Sequence, residues 1–409
     1  MRSNYKKLGS FIQQVSIKNS DLKIDNLLGV SITKKFISSI ANTIGTDMSK
    51  YKVVKKNQFT YGSITSRNGD KISVALLEDD KAIVSTSYTV FEIINKDELL
   101  PEYLMMWFRR AEFDRYARYM SHGSTREAFG WDEMCDVELP VPSIEKQNEI
   151  VKEYHTITDR IKLNEQLSQK LEDTAQSIYK EWFVNFEFPD ENGKPYKSSG
   201  GEMIYCDELD MEIPEIWDID VIDNIVVCNS STYNKEDKFE NIKYLDTSNI
   251  TNNKIYELKL LDINTDVIPS RAKRKVKHNS IIYSTIRPNL CHFGILKNPP
   301  KNMIVSTGFA VLDINKSKLF SEYVYMWLTS NERINYFQSK AEMSVSTYPS
   351  IKPEDLLETT IIVPSNDVLE KANFILEPLF NMQMENYKVS RLMENMRDIL
   401  LSKMAIIKD

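Results

Sequence analysis

Histidine and cysteine are scarce in this chain of 409 residues, with four of each. The cysteines (Cys135, Cys206, Cys228, Cys291) are scattered and show no CxxC spacing. That pattern speaks against a zinc site or a disulfide scaffold and fits reduced cytosolic thiols. His122, His155, His278 and His292 are equally dispersed, leaving little material for a metal centre or a catalytic triad. Glycine is sparse too, at 12 residues, and no Gly-rich loop follows a strand to hold a phosphate or a methyl donor. There is no Walker A loop and no HExxH. No apolar run approaches the ~20 residues that span a bilayer. The charged start of the chain, residues 1–7, leads into no apolar h-region, so the chain reads as cytoplasmic, with neither a membrane span nor a secretory signal. What is present, 42% hydrophobic and 27% charged residues, is the composition of an ordinary globular protein, long enough for roughly two to four domains.

The chain repeats itself. Val54-Lys-Lys-Asn-Gln-Phe-Thr-Tyr61 matches Val276-Lys-His-Asn-Ser-Ile-Ile-Tyr283 at an offset of 222. Ile83-Val-Ser-Thr86 matches Ile304-Val-Ser-Thr307 at 221, and the pairs Glu102-Tyr103 and Met106-Trp107 match Glu322-Tyr323 and Met326-Trp327 at 220. Ser124-Thr125 with Ser346-Thr347, and Val141-Pro-Ser143 with Val363-Pro-Ser365, return to 222. Matches in one order with so little drift mark two copies of one unit.

Each copy has short β-rich segments, a helix with an aromatic face, a polar loop, a strand ending in Val-Pro-Ser and then a long helix. The reading is therefore a mixed α/β chain: a β-rich domain over 1–143, a long helix over 144–182, an acidic linker over 183–223, a second β-rich domain over 224–365 and a second long helix over 366–409, helical to about 405. At 1.5 Å per residue each helix extends for about 60 Å. Val368, Ala372, Ile375, Leu379, Met382, Asn386, Val389, Met393, Met396 and Leu400 step by four and three, the spacing of a coiled-coil seam. The same offset puts Ile150, Ile157, Asn164, Leu167, Leu171 and Ile178 at matching positions of the first helix, where Glu153 and Arg160 interrupt it. If the helices pack antiparallel, Asn164 meets Asn386 near both midpoints, and a buried amide pair there fixes the register.

A net charge of −7 speaks against nucleic-acid binding, but its distribution reverses the argument. Residues 1–143 hold 20 Lys+Arg against 18 Asp+Glu, and residues 224–365 hold 18 against 14. Residues 201–223 hold nine acids and no base. The repeats are mildly basic and the acidity lies in the connection. The densest basic run, Arg271, Lys273, Arg274 and Lys275 with Lys277, is matched in the first repeat by Lys50, Lys52, Lys55 and Lys56. Such a run neutralises phosphates without reading sequence, although an ordinary solvated strand carries similar runs. Candidate base-reading loops are Ser66-Arg67-Asn68 and its counterpart Arg287-Pro-Asn289, since Arg and Asn pair bidentately with guanine and adenine edges. Ser124, Thr125 and Arg126 pair likewise with Ser346, Thr347 and Tyr348. Any polar surface loop has a similar composition.

No catalytic constellation emerges. Asn298-Pro-Pro-Lys301 resembles the base-holding motif of adenine methyltransferases but has Lys in place of the stacking aromatic. Asp190 and Glu191 lie in a polar stretch that could not hold two carboxylates for a metal.

The Val-Pro-Ser strand ends run into Ile144-Glu-Lys-Gln147, and the joining segment reads Trp182-Phe-Val-Asn-Phe-Glu-Phe-Pro189, then Gly193-Lys-Pro-Tyr-Lys-Ser-Ser-Gly-Gly201, then Glu212-Ile-Pro-Glu-Ile-Trp217. In these residues, and in the order of its parts, the chain resembles the specificity subunit of Type I restriction-modification systems along essentially its whole length. The resemblance implies two target recognition domains reading a split sequence in double-stranded DNA, held apart by an antiparallel coiled coil whose length sets the spacer. It implies no catalysis by this chain. Two methyltransferase subunits would dock on it and bind S-adenosylmethionine, and restriction subunits using ATP and Mg would join them. Because the repeated loops differ (Arg126 against Tyr348), the two half-sites are expected to differ and the target to be asymmetric. The rival reading is an assembly scaffold for a methyltransferase complex that reads no DNA. A self-contained methyltransferase would need a cofactor site that the sequence does not show.

Overall fold

The computed structural model describes residues 5–39, 45–66, 69, 71–123, 127–315, 319–343 and 348–407. It forms two compact units. One combines Met1–Asn164 with Val389–Asp409, and the other is Glu165–Lys388.

The first unit is built from β1 (Tyr5–Lys7), β2 (Ile12–Val15), β3 (Leu28–Val30), β4 (Phe36–Ser38), β5 (Lys52–Lys55), β6 (Phe59–Gly62), β7 (Ser73–Leu76), β8 (Lys81–Val84), β9 (Tyr88–Ile93) and β10 (Glu138–Pro140). Its helices are α1 (Pro101–Phe108), α2 (Ala111–Tyr119), α3 (Trp131–Cys135) and the start of α4 (Ile144–Tyr179). The main sheet is antiparallel in the order β2-β9-β6-β7, with β5 and β8 paired beside it and β1 paired with β10. Its strands form where β-branched and aromatic residues meet across the ladder. Phe59 sits opposite Phe91 with ring centroids 4.9 Å apart. α1 opens on Pro101 at its first turn, where the missing N–H costs nothing. It is apolar nearly all round, so it lies inside the core with Tyr103 through Phe108 buried.

The second unit repeats this plan. It contains β11 (Met203–Cys206), β12 (Met211–Pro214), β13 (Asp218–Val221), α5 (Ile222–Ile225), β14 (Val226–Cys228), β15 (Asn241–Leu245), β16 (Ile250–Thr251), β17 (Lys254–Ile255), β18 (Lys259–Asp262), β19 (Ala272–Lys275), β20 (Ser280–Ser284), β21 (Phe293–Leu296), β22 (Met303–Ser306) and β23 (Phe309–Ile314). α6 (Ser321–Leu328), α7 (Asn331–Glu342), α8 (Pro353–Leu357), β24 (Thr360–Val363) and α9 (Asn366–Lys403) complete it. The sheet order β14-β23-β20-β21 copies β2-β9-β6-β7, and β13-β24 copies β1-β10. The pair β19-β22 copies β5-β8, extended here by β15 and β18. Equivalent polar contacts recur. Buried Tyr103 donates to Pro140 O at 3.1 Å, and Tyr323 to Ile362 O at 2.8 Å. Asn57 and Asn279 both turn the chain at φ 67°, a left-handed conformation that Asn tolerates better than most residues. The expected repeat is therefore a repeat of structure.

Three sequence readings change in the fold. First, residues 183–223, expected as an acidic linker, fold as part of the second unit. Phe183, Phe186, Phe188 and Trp217 are buried in the second core, β11 and β12 form a hairpin, and β13 joins β24. Burying four aromatic rings outweighs the charge that dominates this segment's composition. Second, α4 ends at Tyr179 and widens into a π-helical turn over Lys180–Val184, and α9 gives way after Lys403 to a 3₁₀ turn.

Third, the seam on α9 is displaced by one residue between Ala372 and Gln383, while Val368, Ala372 and Asn386 keep their predicted inward places. The helices run antiparallel within each unit. Ile150 and Tyr154 share a core with Leu401 and Met404 in the first, and Ala175 and Tyr179 share one with Val368, Ala372, Leu376 and Phe380 in the second. After Ala372 the inward positions are Leu376, Phe380 and Gln383, whereas the predicted Ile375, Met382, Val389 and Met396 are 36%, 53%, 39% and 55% exposed. On α4 the inward positions are Tyr154 and Ile161, one step past the interrupting Glu153 and Arg160, while Leu167 is exposed. The α9 sequence carries two apolar stripes, and the inward one tolerates polar residues because they are paired. Gln383 donates to Glu172 at 3.0 Å and Asn386 to Ser168 at 2.8 Å. Asn386 thus faces a residue one helical turn beyond Asn164, which is itself buried.

This displacement has a direct test. Leu376→Ala should destabilise the chain by about 2–5 kcal/mol and Ile375→Ala by less than about 1 kcal/mol in urea unfolding. The reverse order would restore the original seam.

Candidate nucleic-acid interface

Two features of each unit bear on binding a polyanion: a basic strand and a pair of loops. The basic strand is β5 in the first unit and β19 in the second. Lys55 and Lys56 are exposed at the end of β5, and Arg271 and Lys273 are exposed along β19. Arg274 and Lys275 are half-buried. Lys275 is ion-paired to Asp237, whose carboxyl this contact holds below its usual range. Lys277 reaches Asp313 at 3.5 Å. Lys273 and Arg271 therefore remain as the exposed cations of this strand.

The loops are positioned by pairing that both repeats preserve. After β6, Ile64 bridges to Ala128, Thr65 N donates to Glu127 O at 3.0 Å and Phe129 N to Ser63 O at 2.8 Å. After β20, Ile286 bridges to Ser350, Arg287 N donates to Pro349 O and Ile351 N to Thr285 O, both at 2.9 Å. The loop following the central strand is thus laced to the loop following the second helix, each bridge lying 222 residues from its equivalent. Ser66 is exposed on the first of these loops, and Arg287, Asn289 and Tyr348 on the second pair. Arg67, Asn68, Ser124, Thr125, Arg126, Ser346 and Thr347 lie outside the described residues.

The second unit brings two of the predicted residues into contact, with the Arg287 guanidinium 5.1 Å from the Tyr348 ring centroid. Asn289 is fixed through its backbone, whose N–H donates to Gln338 Oε1 at 3.2 Å. Sequence reasoning missed Gln338, because nothing linear connects a helix residue 49 positions on to this loop. Arg271 belongs to the same end of the sheet. Its carbonyl accepts from Thr307 N at 2.8 Å, and the next residue, Gly308, accepts from Thr285 N at 3.0 Å. Lys55, Lys56 and Lys277 lie at the other end, before β6 and β20, with a strand of four or five residues between them and the loops. At ~3.4 Å per residue, that strand separates them from the loops by roughly 15 Å.

Among the described residues no cluster of three or more His, Cys, Asp or Glu side chains is arranged to hold a metal. The Cys291 thiol beside the loop is pushed up by burial, away from the thiolate form a nucleophile needs.

Residues 11–173 match the family model described as the Type I restriction modification DNA specificity domain. The chain is 27% identical over 325 residues to the Type I restriction enzyme MjaIX specificity subunit of Methanocaldococcus jannaschii, covering 78% of this chain and 72% of that protein. It is 26% identical over 162 residues to the HindI specificity subunit of Haemophilus influenzae, covering 40% and 35%. In fold it is similar to the crystal structure of the S subunit of a Type I restriction-modification system from M. genitalium, at a TM-score of 0.58 and 13% identity over 99% of this chain and 96% of that one. Residues 11–173 thus match a Type I restriction modification DNA specificity domain, and the chain along its length is similar in fold to an S subunit of such a system.

Proposed function

We propose that this chain is the DNA-recognition subunit of a Type I restriction-modification complex, reading a split, asymmetric target with its two domains and docking two methyltransferase subunits. The repeated two-loop platform carries the reading. The Ile64–Ala128 and Ile286–Ser350 bridges set equivalent loops in equivalent places, while the residues on those loops differ between the units. One scaffold presenting two different sets of polar side chains suits two unlike half-sites. In this reading the chain is not itself an enzyme. S-adenosylmethionine belongs to the methyltransferase subunits, and ATP and Mg to restriction subunits. The exposed cations on β5 and β19 supply affinity through phosphates, and the loops supply specificity.

Exposed Lys273 tests the first role. Lys273→Ala should weaken binding of the assembled complex to target and non-target duplexes alike and make the salt dependence shallower by about one counterion. Binding that ignores salt altogether would favour a scaffold that reads no DNA.

The second apolar stripe of α9 supports docking. Val389, Leu392, Met396 and Ile399 are exposed at successive steps of three and four residues. An exposed stripe of that size marks a contact surface, and its spacing suits a helix of a partner. Leu392→Asp should abolish co-purification of the methyltransferase subunits while leaving the melting temperature of the isolated chain unchanged. Retained co-purification would place the docking surface elsewhere.

A further inference from the structure

Arg287 is held in a conformation that its sequence disfavours. Its backbone is left-handed, at φ 48° and ψ 71°, a region costly for a residue with a Cβ and outside the extended conformation usual before proline. Backbone bonds fix it there. Arg287 N donates to Pro349 O, and its own carbonyl accepts from Leu290 N, both at 2.9 Å. On either side, Ile351 N donates to Thr285 O and Asn289 N to Gln338 Oε1. Strain retained by so many contacts marks a side chain whose placement matters.

The side chain itself does not support the fold. Arg287 is exposed, and among the described residues its guanidinium forms neither an ion pair nor a hydrogen bond. Among the described residues its contact is the ring of Tyr348, 5.1 Å away and itself exposed. A guanidinium against an aromatic ring is oriented as well as attracted, and its N–H fork stays available. A phosphate contact needs only a positive charge, which a flexible lysine delivers as well. An oriented fork gains over lysine where two acceptors lie in one plane, and among base edges in the major groove that pair is O6 and N7 of guanine.

We propose that Arg287, seated on Tyr348, reads a guanine in the half-site bound by the second domain, with Tyr348 as the positioning residue. This rests on the reading of the chain as a DNA-recognition subunit. The test is selection of duplexes from a random pool by the full chain assembled with its methyltransferase subunits, compared for the wild type, Arg287→Ala, Arg287→Lys, Tyr348→Phe and Tyr348→Ala. Arg287→Ala should cost about ten- to a hundredfold in preference for G·C at one position of one half-site and leave every other position unchanged. Arg287→Lys, which keeps the charge and serves if the alanine variant folds poorly, should lose most of the same preference. Tyr348→Phe should retain the preference and Tyr348→Ala should lose part of it at that same position. A uniform drop in recovery in Arg287→Ala that Arg287→Lys restores, with an unaltered motif in both, would make Arg287 a phosphate contact and overturn the inference. A wild-type complex that selects a motif leaves the broader reading intact in that case. One that selects none overturns both.

Discussion

The antiparallel sharing of α4 and α9 is the constraint on which the rest of the structure depends. The first unit closes its core only with a returning segment of α9, and the second only when both α4 and α9 pack on its domain. The first packs Ile150 and Tyr154 at the start of α4 with Leu401 and Met404 at the end of α9, and Tyr5 donates to Ala405 O at 2.8 Å. The second packs Ala175 and Tyr179 with Val368, Leu376 and Phe380. Each fully buried Leu or Phe contributes about 1.5–3 kcal/mol, so a few such residues at each end suffice to tie a long helix to a domain. The helix middles carry weaker, polar contacts such as Gln383–Glu172 and Asn386–Ser168, which favour register over stability.

This arrangement leaves the second apolar stripe of α9 exposed, because a helix packed on one side by its own chain has only one face to give. The inward stripe is apolar at both ends and polar only at its middle, through Gln383 and Asn386, while Val389, Leu392, Met396 and Ile399 stay exposed. A similar division runs through the domains. Side chains inside the sheets, such as Glu92 bound by Gln58 and Asp313 bound by Ser280, settle their charges within the fold, while Arg271, Lys273 and Arg287 are left exposed at the surface.

Much of this was legible in the sequence because it is written twice. The repeat announced one plan carried out twice, and the strand orders agree between the units. The seam was misjudged because periodicity finds apolar stripes but does not say which one faces the neighbouring helix. Residues 183–223 were misjudged because charge masked four aromatic rings. Gln147 illustrates a subtler gap. Its motif carried the family resemblance, but its work is structural, with the buried amide donating to Glu98 O and Pro142 O and accepting from Leu100 N. At the loops the sequence supplied Arg287 and Tyr348 as separate candidates. Their contact depends on a backbone conformation for which the residue before a proline gives no signal.

The most direct test of the central claim is a long-read methylome of the source cell with and without this gene. One bipartite, asymmetric motif should carry N6-methyladenine when the gene is present and lose it when the gene is removed. A strictly palindromic motif would contradict the claim of two unlike half-sites, and a methylome unchanged by removal would contradict the role in DNA recognition itself.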